Sequence, residues 1–438
     1  MKTFQLVRPG IALGLELIFF AALNFFDDWT LESMPTKFVT AAFLSGAAYL
    51  AAASNFTVDI SPKKQVILFW AIAVALRLIA FPLVPGDDLI RNQWQGKVQD
   101  AGFNPYLIAP ADAKLDALRH DFPQAAKINH PELSALDPPG AELVFRFLSR
   151  FIDRPIFYKI LFAGIDLGVV ALLLRLIGGD HRYQIAVWYA WNPLVVYIFA
   201  GAAHSDSLMM LALVAGVLAV ERSTSAVESR SQWLTALLGA TFLGIAISLN
   251  LFALFALLPF IFALRTRAAA LFVAPIIPAL LSLPFGLREV WQSLSQINQL
   301  PRLNDLFWWL VEAIQPNPHQ RVFHYYPILI VCAIAVALLF VRNWKRAMLW
   351  TLGTVIVLSP VLHPWYSVWI LPIAIWRRAY AWCVLSITLF SYYLFWDEKL
   401  FFVPWQSPLW MHSLVIVPVL TALIMLAAEK RAQVVAIT

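Results

Sequence analysis

Apolar runs of membrane-span length recur along almost the whole chain, and a backbone in lipid must satisfy its own hydrogen bonds, so these runs read as transmembrane helices. They lie near residues 10–26, 37–53, 65–84, 156–177, 183–201, 206–221, 232–248, 250–264, 269–285, 326–341, 347–362, 365–376, 379–396 and 409–428. Several are short enough to be tilted, broken or half-inserted, above all the pairs meeting at Asn250 and His363. With 61% hydrophobic and 13% charged residues, the composition excludes an ordinary soluble protein. The expected fold class is an all-α polytopic membrane protein of about 12–14 spans.

A formal charge of +6 is compatible with a nucleic-acid partner, but the basic residues sit singly and in pairs between apolar runs and report topology instead. Lys2 and Arg8, Lys63 and Lys64, Arg175 and Arg182, Arg222 and Arg230, Arg265 and Arg267, Arg342 with Lys345 and Arg346, Arg377 and Arg378, and Lys430 with Arg431 fall on every second connection. That alternation predicts a multi-pass plasma-membrane (inner-membrane) protein with both termini cytoplasmic. The run after Arg8 is long for a signal-peptide core and lacks a small-residue cleavage site, so it reads as a retained first span. Cys332 and Cys383 lie within apolar runs, which argues against a disulfide framework or a thiolate metal site.

The other connections hold most of the remaining polar residues. Two are long, 85–155 and 286–325, and three are short: GAAHSDS at 201–207, HPWY at 363–366 and WDEKLFFVPWQ at 396–406. The chain divides into N-terminal spans (1–84), a first extracytoplasmic loop with an acidic motif (85–155), middle spans (156–285), a second extracytoplasmic loop (286–325) and C-terminal spans (326–438), all one membrane domain. Asp87, Asp88, His204, Asp206, His363 and Tyr366 are distant in sequence yet share the outer side, which makes an extracytoplasmic active site the leading expectation.

On a helix starting near Gly86, Asp87, Arg91 and Trp94 occupy positions i, i+4 and i+7, so an acid, a base and an aromatic share one face. The plain alternative is a helix start whose acids complement the macrodipole. His204 and Asp206 suit a metal, each other or a sugar hydroxyl, or else a cap and an interface residue. His363 and Tyr366 flank a proline that starts a span, where an aromatic belt accounts for them equally well. The turn-rich segment NHPELSALDPPG at 129–140, containing His130, suits a substrate wall or a surface turn. Glu16, Arg77 and Asp166 lie inside spans, where ionisable groups are costly, and Asp166 is a possible partner for Arg77. Arg321, His324, Tyr325 and Tyr326 precede a span and suit a lipid head group or interfacial anchoring. Signatures of nucleotide binding, zinc proteolysis and esterase chemistry are absent from the sequence. Carboxylates, histidines and arginines at a membrane surface suit a phosphate-bearing lipid: Arg and protonated His for the phosphate, a carboxylate for the proton of an incoming hydroxyl.

GDDLIRNQWQGKVQDAGFNPY with HPELSALDPPGAELVF, then WNPLVVYIFAGAAHSDSLMMLAL, then LSPVLHPWYSVWILP, resembles the bacterial polyprenol-phosphate-mannose-dependent mannosyltransferases of the GT-C superfamily. The resemblance implies an integral-membrane enzyme that moves a sugar, with inversion, from a polyprenyl-phosphate donor to a lipid or glycan acceptor on the extracytoplasmic side. It implies a catalytic carboxylate at Asp87 or Asp88, and the seven-residue spacing from Asp87 to Trp94, seen in some members, favours Asp87 as the base. Arg91, Arg321, His363 and Tyr366 would bind the donor phosphate; Trp94, Asn104, Tyr106, His130, His204 and Asp206 would position acceptor or sugar. Asp88, His204 and Asp206 are the candidates for a divalent cation such as Mg or Mn, and whether one takes part stays open. Departures are Asp137 before Pro138-Pro139, where relatives tend to read YPP or TPP, and Asn250 where a lysine is common. A lipid-linked sugar flippase or exporter would call for an inverted repeat and a polar midplane, which the sequence does not display. An O-antigen-ligase-like enzyme would use a diphosphate donor.

Overall fold

The computed structural model describes residues 9–56, 61–225, 229–264, 266–314, 325–397 and 408–435, with backbone alone for 229, 299 and 429–435. From the N-terminus, α1 (Pro9–Ala22), α2 (Met34–Ser54) and α3 (Pro62–Ala80) lead into a cap of α4 (Asp87–Asp100), α5 (Asp116–Asp121) and α6 (Pro139–Phe151). The bundle resumes with α7 (Pro155–Ile177), α8 (Arg182–Ala190), α9 (Pro193–Val196), α10 (Ser207–Ser225), α11 (Ser229–Leu249), α12 (Leu257–Ala263) and α13 (Ala274–Ser282). After α14 (Leu287–Leu294) and α15 (Trp308–Ile314) come α16 (Tyr325–Leu339), α17 (Trp344–Val357), α18 (Pro364–Trp376), α19 (Ala381–Thr388) and α20 (Leu409–Val435).

Proline sets many of the helix starts. It occupies the first turn of α2, α3, α6, α7, α9 and α18, where its missing N–H would have had no helical partner. The same chemistry breaks the run at 183–201. Pro193 cannot continue α8, and the Asn192 side chain instead caps α9 by accepting from the Leu194 and Val195 N–H groups. Asn250 ends α11 and caps the following 3₁₀ turn through the Phe252 N–H in the same way.

Every apolar run anticipated from the sequence is helical, and the protein is an all-α polytopic membrane protein. Among the described residues five helices are long and apolar enough to cross a membrane alone: Met34–Ser54, Pro155–Ile177, Ser207–Ser225, Arg230–Leu249 and Leu409–Ala428. Ala269–Ser282 and Leu287–Asn298 together are also long and apolar enough, but the pair is bent by 96°, with α14 turning away from α13, the geometry of a broken span or a re-entrant loop. Pro9–Phe25, Leu251–Ala263, Tyr325–Leu339 and Ala381–Trp396 are shorter, so the bundle mixes full spans with short and interrupted ones.

Inside the bundle α10 packs along α7 and α11, and α1 along α2. Arg77 of α3 and Asp166 of α7 form a buried ion pair, with the Arg77 Nε 2.8 Å from Asp166 Oδ2. The pair is complete: Arg77 also donates to the Ala73 and Ala190 carbonyls, and the Tyr189 hydroxyl donates to Asp166 Oδ1 at 2.7 Å. This accounts for two of the costly intramembrane charges as structure.

Close backbone approach holds the cap together and seats it on one end of the bundle. A Cβ at Gly96 of α4 would lie 2.4 Å from the Phe145 carbonyl oxygen of α6. A Cβ at Gly140 would lie 2.5 Å from Ser248 Oγ, where α6 meets the end of α11. The second long loop is laced to the first. Ser134 and Ser293 share a 2.6 Å hydroxyl contact and the Gln296 amide donates to Ser134 at 2.8 Å, while Asn104 ties the first loop to the Phe285 carbonyl at 2.7 Å and Leu303 of the second pairs in parallel with Val361 ahead of α18.

Candidate active site

The segment 81–86 is a short strap that delivers the acid pair, and it is pinned on three sides. Lys159 of α7 donates to the Phe81 carbonyl at 2.9 Å and to that of Leu83, and Asp27 accepts from the Val84 N–H at 2.9 Å. The Gly86 N–H donates to the Ala202 carbonyl at 2.9 Å, which ties the strap to the 201–207 loop. Asp87 and Asp88 are then the first residues of α4, where the positive end of the helix dipole favours negative charge.

Their surroundings differ. Asp87 Oδ1 accepts from the Asp88 N–H at 3.0 Å and Oδ2 from the Asn129 amide, so both oxygens are engaged. Asp88 lines a recess: 44% of its side chain is open although protein surrounds it, and its Oδ2 lies 3.5 Å from His204 Nδ1. His204 follows Ala203, a non-glycine residue in the left-handed region (φ 62°). Its ring lies against Trp365 at 4.4 Å, and Trp365 in turn stacks on His363 at 4.3 Å and 4°. His363 meets the Tyr392 hydroxyl through Nδ1 at 3.0 Å, and Tyr366 stacks on Trp369 at 4.2 Å. Asp206 accepts from Asn250 at 3.1 Å and is approached by the Trp369 indole, whose buried N–H lacks a partner at full hydrogen-bond distance.

Burial dominates the electrostatics. It raises Asp88 well above the ordinary carboxylate value, and the neighbouring charges of Asp87, Asp137 and Asp206 push the same way. Asp87 is raised by burial too, but its hydrogen bonds and Arg91 oppose the shift. Burial lifts Asp206 to about 6 and raises Asp137 as well, with Arg91 acting against the Asp137 shift. His204 and His363 are both pushed down to about 3 by desolvation, so they are neutral at pH 7 and act as hydrogen-bonding groups. The expectation of protonated histidines facing a phosphate does not describe this state.

Asp87, Asp88, His204, Asp206, His363 and Tyr366 thus converge. The rest of the anticipated set lies differently. Arg91 donates to the carbonyls of Asn129, Leu133 and Ser134 and so clamps the 129–134 turn. Trp94 is 1% exposed and stacks on Phe122 inside the cap. The face shared by Asp87, Arg91 and Trp94 therefore holds the loop itself. Asn104 ties the first long loop to Phe285 at the end of the middle spans, and the Tyr106 hydroxyl donates to the Asp137 carbonyl at 2.7 Å. His130 (φ 51°) is half-exposed beside Glu132, within electrostatic reach of His363. Arg321 and His324 lie outside the described residues.

Asp137, Asn250, Trp365, Trp369 and Tyr392 line the same region without having been singled out as site residues. Asp137 had a signal, an acid directly before two prolines at a loop–helix junction. Trp365 lay within HPWY. Tyr392 sat in an apolar run and carried none. Among the described residues no group of three or more His, Cys, Asp or Glu side chains is arranged to hold a metal ion, and Asp88, His204 and Asp206 do not form one.

Residues 159–267, from α7 to the loop before α13, match the MptA_B family, described as alpha-(1->6)-mannopyranosyltransferase, N-terminal domain. This match supports a mannosyltransferase of the GT-C superfamily. It covers about a quarter of the chain, including Lys159, His204, Asp206 and Asn250, while the acid pair and His363 lie outside it. No curated protein matches the chain. For a glycosyltransferase the chemistry at hand is apt: an accessible carboxylate of raised affinity for protons, flanked by neutral hydrogen-bonding rings and further carboxylates that can accept from sugar hydroxyls.

Proposed function

We propose that this mannosyltransferase takes mannose from a polyprenyl-phosphate carrier and transfers it, with inversion, to a hydroxyl of a lipid or glycan acceptor on the extracytoplasmic side of the plasma membrane. The observation that carries the reading is Asp88, open in a recess where three polar loops meet at one end of a helical bundle. Asp88 accepts the acceptor hydroxyl's proton as its oxygen bonds to the anomeric carbon. The bond from that carbon to the phosphate oxygen breaks, and the polyprenyl phosphate leaves with the electron pair. Asp87, held by Asn129, positions the start of α4. Asp206, Asn250 and Asp137 receive sugar or acceptor hydroxyls, and His363 with Tyr366 and Tyr392 offers hydrogen bonds toward the departing phosphate. Arg91 serves this site indirectly by holding the 129–134 wall, as do Asn104, Tyr106 and Trp94 through the cap.

The membrane setting supports a lipid-borne donor, because both substrates then diffuse in the plane on which the recess opens. The name of the matched family, alpha-(1->6)-mannopyranosyltransferase, suggests an α-linked product. Purified protein in lipid nanodiscs, given radiolabelled mannosyl-phospho-polyprenol, GDP-mannose or a polyprenyl-diphosphate sugar with a mixed envelope-lipid acceptor, tests the reading. Transfer from the monophosphate alone is expected. Use of GDP-mannose or the diphosphate, or donor translocation without transfer, would overturn it.

A further inference from the structure

The bundle end opposite Asp88 holds a cavity of about 230 Å³, lined chiefly by Ser54, His181, Gln184, Trp188, Arg378 and Tyr380, where the end of α2 meets the start of α8 and the turn between α18 and α19. Two features distinguish it from a crevice between helix ends. The first is Arg378, which holds a left-handed backbone (φ 57°) just past α18. Its N–H donates to the Ile375 carbonyl at 2.9 Å and the Ala379 N–H to the Ala374 carbonyl at 2.7 Å, the paired bonds of a helix-ending turn that favours glycine at this position. A β-carbon is strained there, so the long cationic side chain stands against local preference.

The second feature is the lining around that guanidinium. Trp188 and Tyr380 pack at 4.8 Å as an aromatic wall, and His181 Nδ1 and Gln184 Oε1 are paired at 2.6 Å on the rim. The neighbouring cations are occupied by rings, Arg182 over Tyr183 and Arg377 over Trp376, whereas Arg378 forms no ion pair among the described residues. An unpaired guanidinium beside an aromatic wall at the end of membrane helices matches a phosphate next to acyl-glycerol carbons.

We infer that this cavity is a binding site for the phosphate-bearing headgroup of an anionic membrane lipid, with Arg378 on the phosphate and the Trp188–Tyr380 wall against the glycerol. The site lies at the opposite end of the bundle from the acid recess and does not depend on the reaction proposed there.

Full-length protein in detergent, titrated with phosphatidylglycerol, diacylglycerol or inorganic phosphate and read by native mass spectrometry, tests it. The wild type is expected to retain phosphatidylglycerol over diacylglycerol. Arg378→Gly, which relieves the left-handed strain and keeps the turn, should hold its lipid-free melting temperature or raise it while losing phosphatidylglycerol affinity at least tenfold. Arg378→Lys should retain part of it. Equal retention by Arg378→Gly, equal retention of diacylglycerol, or binding of inorganic phosphate without the lipid would each overturn the inference.

Discussion

Asp87 and Asp88 are neighbours of identical chemistry, and what separates them is hydrogen bonding. A carboxylate whose two oxygens accept from Asn129 and a helix N–H is a poor acceptor for a further proton, whereas Asp88 has open lone pairs and a raised proton affinity. The spacing to Trp94 that favoured Asp87 in the sequence reflects packing of the cap, since Trp94 faces Phe122. At Asp206 the sign of the pH dependence is fixed by a folded-state value of about 6, above the unfolded value of about 3.9. Its buried charge opposes folding above pH 6, and that penalty disappears as the pH falls toward 4. Asp206→Asn should therefore raise the melting temperature at pH 8 and leave it unchanged at pH 4, read by intrinsic fluorescence; an equal effect at both values would contradict the burial argument. His204 and His363 act in the opposite direction. Held neutral, they let the unfolded chain gain protons first, so their contribution to stability is lost as the pH drops below about 6.5 toward 3.

At the scale of elements, the strap and the cap crossing carry the geometry. Lys159→Met would leave the Phe81 and Leu83 carbonyls without their donor, each such buried group costing about 1–3 kcal/mol. The expected outcome is a lower melting temperature together with a fall in kcat greater than the change in KM, because the strap places the acid pair and no substrate atom. A variant with normal kcat would remove Lys159 from that role. Gly96→Ala drives a methyl into the Phe145 carbonyl and should destabilise the protein by about 1–3 kcal/mol, with thermal unfolding as the check. The helices themselves were legible in the sequence because apolar length and first-turn prolines are local signals. The lacing of the long loops was not, since Ser134 to Ser293 joins one loop to the other, and Asn104 to Phe285 and Leu303 to Val361 join them to the bundle, between residues far apart in the chain.

Over the whole molecule, the polar residues at alternate ends of apolar runs gather on one end of the bundle, where Asp87, Asp88, His204, Asp206, His363 and Tyr366, expected on a common side from the sequence, come together. What sidedness alone cannot supply is direction. Arg91 points into the cap, Tyr392 points into the recess from an apolar segment, and Asp137 reaches it from a loop–helix junction, none of which a one-dimensional pattern encodes. The proposed topology is checked by a cysteine at the exposed Glu132 and another at Arg222 in a cysteine-free background. A membrane-impermeant maleimide applied to intact cells should label the first and spare the second; the reverse would place the acid recess on the cytoplasmic side.

In the proposed mechanism Asp88 takes the proton during mannosyl transfer. The most direct measurement of that step is single-turnover transfer of radiolabelled mannose from mannosyl-phospho-polyprenol by wild type, Asp88→Asn and Asp87→Asn, each shown to be folded by thermal unfolding. Asp88→Asn is expected to lose about 10²–10⁴-fold in rate, the usual contribution of a positioned base. Asp87→Asn should lose only about tenfold, equivalent to ~1.4 kcal/mol of misplacement. Asp88→Asn turning over at the wild-type rate while Asp87→Asn is inactive would rule out this role for Asp88 and assign the base to Asp87.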